Sequence, residues 1–268
     1  MSVVSFASRV IVITGASDGI GAELARQLSA DKPTLVLAAR RRDALDAVAR
    51  QCEAAGAQTL CVVTDVSVEA DCRALIAATV EKFGCIDALV NNAGVSMHAN
   101  FGDIVDTAVY EKLMRINLMG SIWPTHAALS HLKASKGLIV AVASLAGLVG
   151  VPGRTTYCAT KFAQTGFFEA LRVELAPDGV DVTVVYPGVV ATEIRRNGWN
   201  AKGETAGSSG LSETNAMSVE ECASLIVSAM RSRKREEVMS AKGKLGRWLK
   251  LIAPAKVDAM ARAALTKK

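Results

Sequence analysis

Six short apolar runs alternate with helical patterns along this chain, and that alternation restricts the fold more than any other feature. The runs cover residues 9–14, 34–39, 58–63, 86–90, 137–143 and 180–186, and they are rich in Val, Ile and Leu. Continuous runs of this length read as strands buried on both faces, and the helices between them supply the crossovers of a parallel sheet. The expected architecture is α/β: a doubly wound parallel sheet in a three-layer α/β/α sandwich. Half the residues are hydrophobic and only 4% aromatic, which suits a core of small aliphatic side chains. At 268 residues the chain fits one such domain, expected over residues 1–240, with a tail over 241–268. A further short strand is expected at 236–239.

In such a sheet ligands bind in the crevice beyond the C-terminal strand ends, and the unusual residues of this chain cluster there. The first strand runs into Thr14-Gly15-Ala16-Ser17-Asp18-Gly19-Ile20-Gly21 and then a helical pattern over 22–28. Strand, glycine-rich turn and helix are what a dinucleotide requires: glycines admit the pyrophosphate, and the helix N-terminus adds partial positive charge. The second strand ends at Ala39-Arg40. No carboxylate stands ready there for a ribose 2′-hydroxyl, and an arginine suits a 2′-phosphate, so NADP is expected over NAD. Asp18 is a mild counter-signal. Arg42 reads as the solvated start of a helix over 41–54. Asp65 ends the third strand, where it can cap the next helix (68–83) or touch an adenine edge. Asn91-Asn92-Ala93-Gly94 ends the fourth and reads as a wall beside the cofactor. Two helices follow, 107–118 and 121–133, with Asn117 in an otherwise apolar run.

The fifth strand ends at Ser144, and the loop 145–154 feeds a helix holding Tyr157 and Lys161. Four-residue spacing puts the phenol and the ammonium on one helix face, one turn apart. A nearby ammonium favours phenolate and draws a tyrosine pKa from about 10 toward neutrality. Such a tyrosine can exchange a proton at working pH while Ser144 holds the reacting oxygen. The sixth strand closes at Pro187-Gly188.

Together, T14-G15-x-x-x-G19-x-G21, N91-N92-A93-G94, Asn117, Ser144, Y157-x-x-x-K161 and P187-G188-x-x-x-T192 resemble the short-chain dehydrogenase/reductase family, over roughly residues 8–240. The resemblance implies a Rossmann-type fold. It implies that Tyr157 is the catalytic acid/base, that Lys161 lowers its pKa and bonds the nicotinamide ribose, that Ser144 orients the carbonyl, and that Asn117 holds a relay water. It implies that Gly15, Ser17 and Ile20 lie on the pyrophosphate loop, Asp65 and Val66 near adenine, Asn92 beside the nicotinamide, and that Thr192 bonds the carboxamide. The expected function is NADP(H)-dependent interconversion of a carbonyl and an alcohol on a small-to-medium apolar substrate. An NAD-dependent dehydrogenase and a non-catalytic, membrane-recruited dinucleotide-binding scaffold are the rivals. Family members often end in a tetramer-packing turn that is missing here, whereas the helix after Tyr157 is apolar on more than one side (Phe162, Phe167, Phe168, Leu171). A homodimer is therefore expected, with a tetramer the alternative.

Residues 192–217 are expected to cap the substrate, with a Gly/Ser-rich flap over 203–212. The net charge of +5 is concentrated in the tail, where residues 231–268 hold 12 Lys/Arg against 3 Asp/Glu. Leu245, Trp248, Leu249 and Ile252 follow helical spacing among lysines and arginines. The first expectation is packing on the enzyme or its dimer mate, and the alternative is peripheral contact with an anionic membrane. Nucleic acid is not expected, because no aromatics interleave with the basic residues. Six cysteines without C-x-x-C spacing read as reduced cytoplasmic thiols. His98, His126 and His131 have no ligand spacing, so no metal is expected. His98 is a candidate pocket residue, His126 and His131 surface or core residues. Neither a secretory signal nor a membrane span is expected.

Overall fold

The computed structural model describes residues 4–207 and 216–266, with side chains to 263. Its elements are β1 (Val10–Thr14), α1 (Gly19–Leu28), β2 (Thr34–Ala39), α2 (Arg42–Ala54), β3 (Gln58–Val63), α3 (Glu69–Phe83), β4 (Ala88–Asn91), α4 (Ala108–Met114), α5 (Gly120–Ser135), β5 (Leu138–Val142), α6 (Thr155–Leu175), β6 (Asp181–Tyr186), α7 (Val219–Arg231), β7 (Glu236–Val238), α8 (Ala241–Ile252) and α9 (Pro254–Thr266). The strands form one sheet in the order β3-β2-β1-β4-β5-β6-β7, every neighbouring pair parallel. This is the doubly wound, Rossmann-like sheet that the alternation implies.

Strand residues alternate between two cores because successive side chains point to opposite faces. Ile11, Ile13, Leu35, Leu37, Val140 and Val185 meet α1, α2 and α7 through Leu24, Leu28, Leu45, Val48, Ile226 and Met230. Val10, Val12, Val36, Leu89, Ile139 and Val184 meet α3, α5 and α6 through Leu75, Leu132 and Phe168. Strand order reverses between β1 and β4, which opens a crevice at their C-terminal ends.

Most expected boundaries shift by one or two residues. The larger difference is at α4 and α5, which are one helical run joined by a π-turn, Arg115–Met119. The extra residue in that turn keeps the helix going where two helices were expected, and Asn117 is its buried member. In the segment between β6 and α7, Trp199 pairs with Thr205 and with Met97 from the loop after β4, and Val190 pairs with Met217. Residues 208–212 of the expected flap lie outside the described residues.

The tail helix α8 packs on the body through its glycine and arginine side. A side chain at Gly243 would collide with Leu145, Arg247 pairs with Glu236, and Lys250 reaches the Leu148 carbonyl at 3.0 Å and lies over the Phe162 ring. Leu245, Trp248, Leu251 and Ile252 stay exposed, Ile252 at 82%. The expectation is packing on the enzyme or its dimer mate; on this chain's own body Leu249 alone of the expected row is half-buried, and α8 docks instead through Gly243, Arg247 and Lys250. Among the described residues no helix is long and apolar enough to cross a membrane.

Candidate active site

The turn after β1 is shaped by its glycines. Gly15 and Gly19 take φ of +66° and +52°, a region that disfavours side chains. At Gly21 a Cβ would collide with the Gly15 carbonyl oxygen, so α1 starts hard against the turn. Asp18 caps α1 by accepting from Gly19 N at 2.7 Å and pairs with Arg41 at 3.5 Å. The Asn92 amide donates to the carbonyls of Thr14 and Gly15 at 2.9 and 3.2 Å. The Thr14 hydroxyl accepts from the amides of Asn92 and Ala93. Asn92 and Ala93 thus brace the turn across the β1–β4 reversal, and Gly94 follows against Asn117. Ser17 and Ile20 are half-buried on the same turn.

At the end of β2, Arg42 is tied to Asp46 and Arg41 to Asp18. Arg40 is exposed and is not among the residues that hold an ion pair in the described structure. Asp65 accepts from the amide and hydroxyl of Ser67 at 2.9 and 2.7 Å, so its carboxylate shapes the turn into α3. Val66 is buried beside it. Pro187 accepts from Leu145 N at 2.9 Å, Gly188 lies against Leu145, and Thr192 lies against Gly19. The three residues therefore join the β6 end to both the Ser144 loop and the glycine turn.

Ser144, Tyr157 and Lys161 come together beyond β5. Ser144 starts a short 3-10 turn, its hydroxyl accepting from Ala146 N at 3.2 Å. Tyr157 and Lys161 lie in the first two turns of α6, both buried. Lys161 Nζ donates to the Val142 carbonyl at 2.9 Å and to Gln164 Oε1 at 2.8 Å. It lies 5.7 Å from the Tyr157 ring centroid. Burial pulls Lys161 down to about 7. Burial pushes the Tyr157 phenol up, opposed first by a hydrogen bond with Ser144 and then by the charges of Arg154 and Arg195. Arg154 and Arg195 are thus two further cations acting on the phenol, beside the lysine one turn along α6.

Asn117 is fully engaged. Its Oδ1 accepts from Val95 N at 2.8 Å, and its Nδ2 donates to the Val95 carbonyl and Thr160 Oγ1 at 3.0 Å each. Its own carbonyl accepts from Gln164 Nε2 at 2.7 Å. Gln164 also donates to Ser121 Oγ at 2.8 Å. It is fully buried and links α6, the π-turn and Lys161. Sequence reasoning missed Gln164, although its place three residues after Lys161 on the same helix was a legible signal.

It also missed Arg154 and Arg195. Arg154 precedes α6 as its N-cap residue, donates from Nη1 to Ser96 Oγ at 2.9 Å, and lies 5.9 Å from the Tyr157 ring centroid. Arg195 donates to the Val190 carbonyl at 2.9 Å. Around Tyr157 the remaining wall is apolar: Met97, Val109, Leu113, Ala146 and Cys158, with Val151 and Trp199 packed against them. His98 approaches Gly153 beside this wall. The site can therefore hold a ligand oxygen between two hydroxyls while an apolar body sits against the wall.

Comparison with known proteins agrees with this geometry. The family model described as short chain dehydrogenase matches residues 9–203. A protein from Arabidopsis thaliana named 11-beta-hydroxysteroid dehydrogenase-like 4A is 43% identical over 183 residues, 68% of this chain and 61% of that one. The 11-beta-hydroxysteroid dehydrogenase A of Sesamum indicum is 35% identical over 254 residues, 92% of this chain and 73% of that one. Several relatives are thus matched over less than two thirds of their length. Among solved structures, an alcohol dehydrogenase from the archaeon Thermococcus sibiricus complexed with 5-hydroxy-NADP superposes with a TM-score of 0.75 at 26% identity, over 86% of this chain and 94% of that one.

Proposed function

Because this chain belongs to the short-chain dehydrogenase family, we propose that it interconverts a carbonyl and an alcohol with NADP(H) as its hydride carrier. The observation that supports this most is the convergence of Ser144, Tyr157 and Lys161 at the C-terminal edge of a parallel sheet, next to a glycine-rich turn that leads into the N-terminus of α1. The named activities of the relatives, on hydroxysteroids and alcohols, are of the same class.

The residues present fit the cofactor. Gly15, Ser17, Gly19, Ile20 and Gly21 would hold the pyrophosphate at the α1 N-terminus, and Arg40 the 2′-phosphate. Asp65 and Val66 would flank the adenine, Asn92, Ala93 and Gly94 the nicotinamide side, and Pro187, Gly188 and Thr192 the carboxamide. When bound, the nicotinamide gives or takes the hydride. Tyr157 gives its phenolic proton to the substrate oxygen in reduction and recovers it in oxidation. Ser144 donates to the same oxygen, so the developing charge meets two hydroxyl donors. Lys161 carries three N–H bonds when charged, two of them used on Val142 and Gln164, which leaves one for the nicotinamide ribose. Asn117 acts by positioning: its amide locks Val95, and Gln164 competes for its carbonyl, where a relay water would sit.

The substrate in this reading has an apolar body held by the Met97–Trp199 wall. The chain works as a cytoplasmic homodimer, for which the exposed Phe162 and Val173 of α6 supply apolar contact. The exposed row on α8, flanked by Lys242 and Lys244, suits an anionic membrane surface better than a neutral one.

A carbonyl and alcohol panel followed by NADPH absorbance tests the reading, with Tyr157→Phe alongside. Turnover should vanish in the variant while NADPH still binds. Unchanged turnover refutes the role of Tyr157, and tighter binding of NADH than of NADPH refutes the choice of cofactor.

A further inference from the structure

Arg154 is only 6% exposed, yet two of its three guanidinium nitrogens have no partner among the described residues. Nη1 is bonded to Ser96, whereas Nε and Nη2 are buried and unpaired. Among the described residues no carboxylate compensates it: the charged or polar groups acting on it are Tyr157, Arg195 and Cys158. A guanidinium taken out of water without a counter-charge is a costly arrangement in a folded protein. The unpaired nitrogens also have a defined shape. The N–H bonds of Nε and Nη2 run parallel along one edge of the guanidinium, and that edge accepts both oxygens of a carboxylate.

The surroundings say where such a carboxylate would sit. Arg154 lies beside the Tyr157 ring, and Ser96, which holds its other edge, accepts Trp199 N through its carbonyl at 2.9 Å. His98 N donates to the Trp199 carbonyl at 3.0 Å and Ala99 N to the Gly153 carbonyl at 2.9 Å, so segments 96–99 and 198–199 are joined over the loop that carries Arg154. Arg195, 7% exposed, adds a second positive charge. Two buried cations thus face one phenol inside a wall otherwise built of Met97, Val109, Leu113 and Ala146.

We propose that Arg154 is the anchor of an anion subsite, and that the substrate is an oxo acid or hydroxy acid whose carboxylate takes the Nε–Nη2 edge while its carbonyl or hydroxyl carbon faces Tyr157. The apolar wall then holds the carbon skeleton between the two ends. This rests on the oxidoreductase reading for the reacting end, but the anion subsite stands on Arg154 alone. A neutral ketone of the same skeleton leaves the guanidinium edge unpaired in a closed site, and so is discriminated against.

The test compares medium-chain oxo acids with their methyl esters, in the wild type and in Arg154→Met and Arg154→Lys. The wild type should favour the acid by about 100-fold in kcat/KM, and Arg154→Met should bring that ratio to within about 3-fold of unity. Both substrates share any loss transmitted through the phenol, so the ratio isolates the carboxylate contact. Arg154→Lys keeps the charge without the fork and should restore part of the ratio. Calorimetric titration of the NADP-bound protein with butyrate and with butyramide gives a second readout that needs no turnover: butyrate should bind and butyramide should not. Butyrate binding that depends on Arg154 without turnover of any carbonyl would remove the oxidoreductase reading and leave the anion subsite intact. A wild-type ratio near unity, or equal binding of butyrate and butyramide, overturns the proposal. If Arg154→Met does not fold, those two wild-type measurements decide it.

Discussion

Replacing Gln164 with leucine tests whether the buried network under the site is a structural hub. Gln164 donates to the Asn117 carbonyl at 2.7 Å and to Ser121 Oγ at 2.8 Å, and accepts from Lys161 Nζ at 2.8 Å. Leucine has nearly the same volume, so the change removes hydrogen bonds and leaves little cavity. No neighbour is orphaned: Ser121 still donates to Asn117 O at 3.1 Å, and Lys161 still reaches Val142 O. The loss is then two neutral bonds at about 1 kcal/mol each and one bond to a charged group at about 1.5–3 kcal/mol. Added apolar burial returns about 1 kcal/mol. The net expectation is about 2–4 kcal/mol, or roughly 5–15 °C in Tm for a domain of this size. Lys161 loses its charge near pH 7, so the destabilisation should be larger at pH 6 than at pH 8.5. Urea unfolding at both pH values, with thermal melts as a check, reads it directly. A Tm within about 2 °C of wild type, or a loss independent of pH, refutes the network as the support of Lys161.

Three further outcomes are expected. Lys161 has a folded pKa of about 7 against an ordinary 10.5, so above pH 7 the unfolded chain holds the extra proton and stability rises with pH. Between pH 7 and 8.5 the gain is up to about 2 kcal/mol. Above that, the buried thiols of Cys72 and Cys222, raised to about 12, act in the opposite direction. Lys161→Met should flatten the rise in denaturant titrations, and an unchanged slope would mean that Lys161 is not the group. Arg40→Ala should weaken NADPH binding by about 10- to 100-fold and leave NADH within about 3-fold, measured by fluorescence titration. An equal effect on both would count against a 2′-phosphate contact. Vesicles containing phosphatidylserine should sediment the full chain and release a variant lacking residues 242–268, whereas phosphatidylcholine vesicles should bind neither strongly. Equal behaviour of the two proteins would return the α8 row to a protein partner.

Much of the frame is legible in the amino-acid sequence. β1 reads as a strand because four apolar, β-branched residues in a row lead up to Thr14, and the turn after it announces itself by three glycines in eight residues. Tyr157 and Lys161 are legible because helical periodicity is local: four residues apart on a helix is one face in any protein. The π-turn at Arg115–Met119 is not, since an inserted residue in a helix leaves the apolar pattern nearly unchanged.

Chain order alone thus determined the doubly wound sheet and the crevice at its strand ends. Those follow from periodicity and turn chemistry within a few residues. Tertiary structure alone decided which of three consecutive arginines at the end of β2 stays outside an ion pair among the described residues, because Asp18 and Asp46 take the other two. It decided that α8 turns its glycine and arginine side to the body. It also brought Arg154, Ser96 and Arg195 around Tyr157 from three separate segments. A charge's partners and its dielectric surroundings are set by what other segments place against it, and no local pattern carries that information.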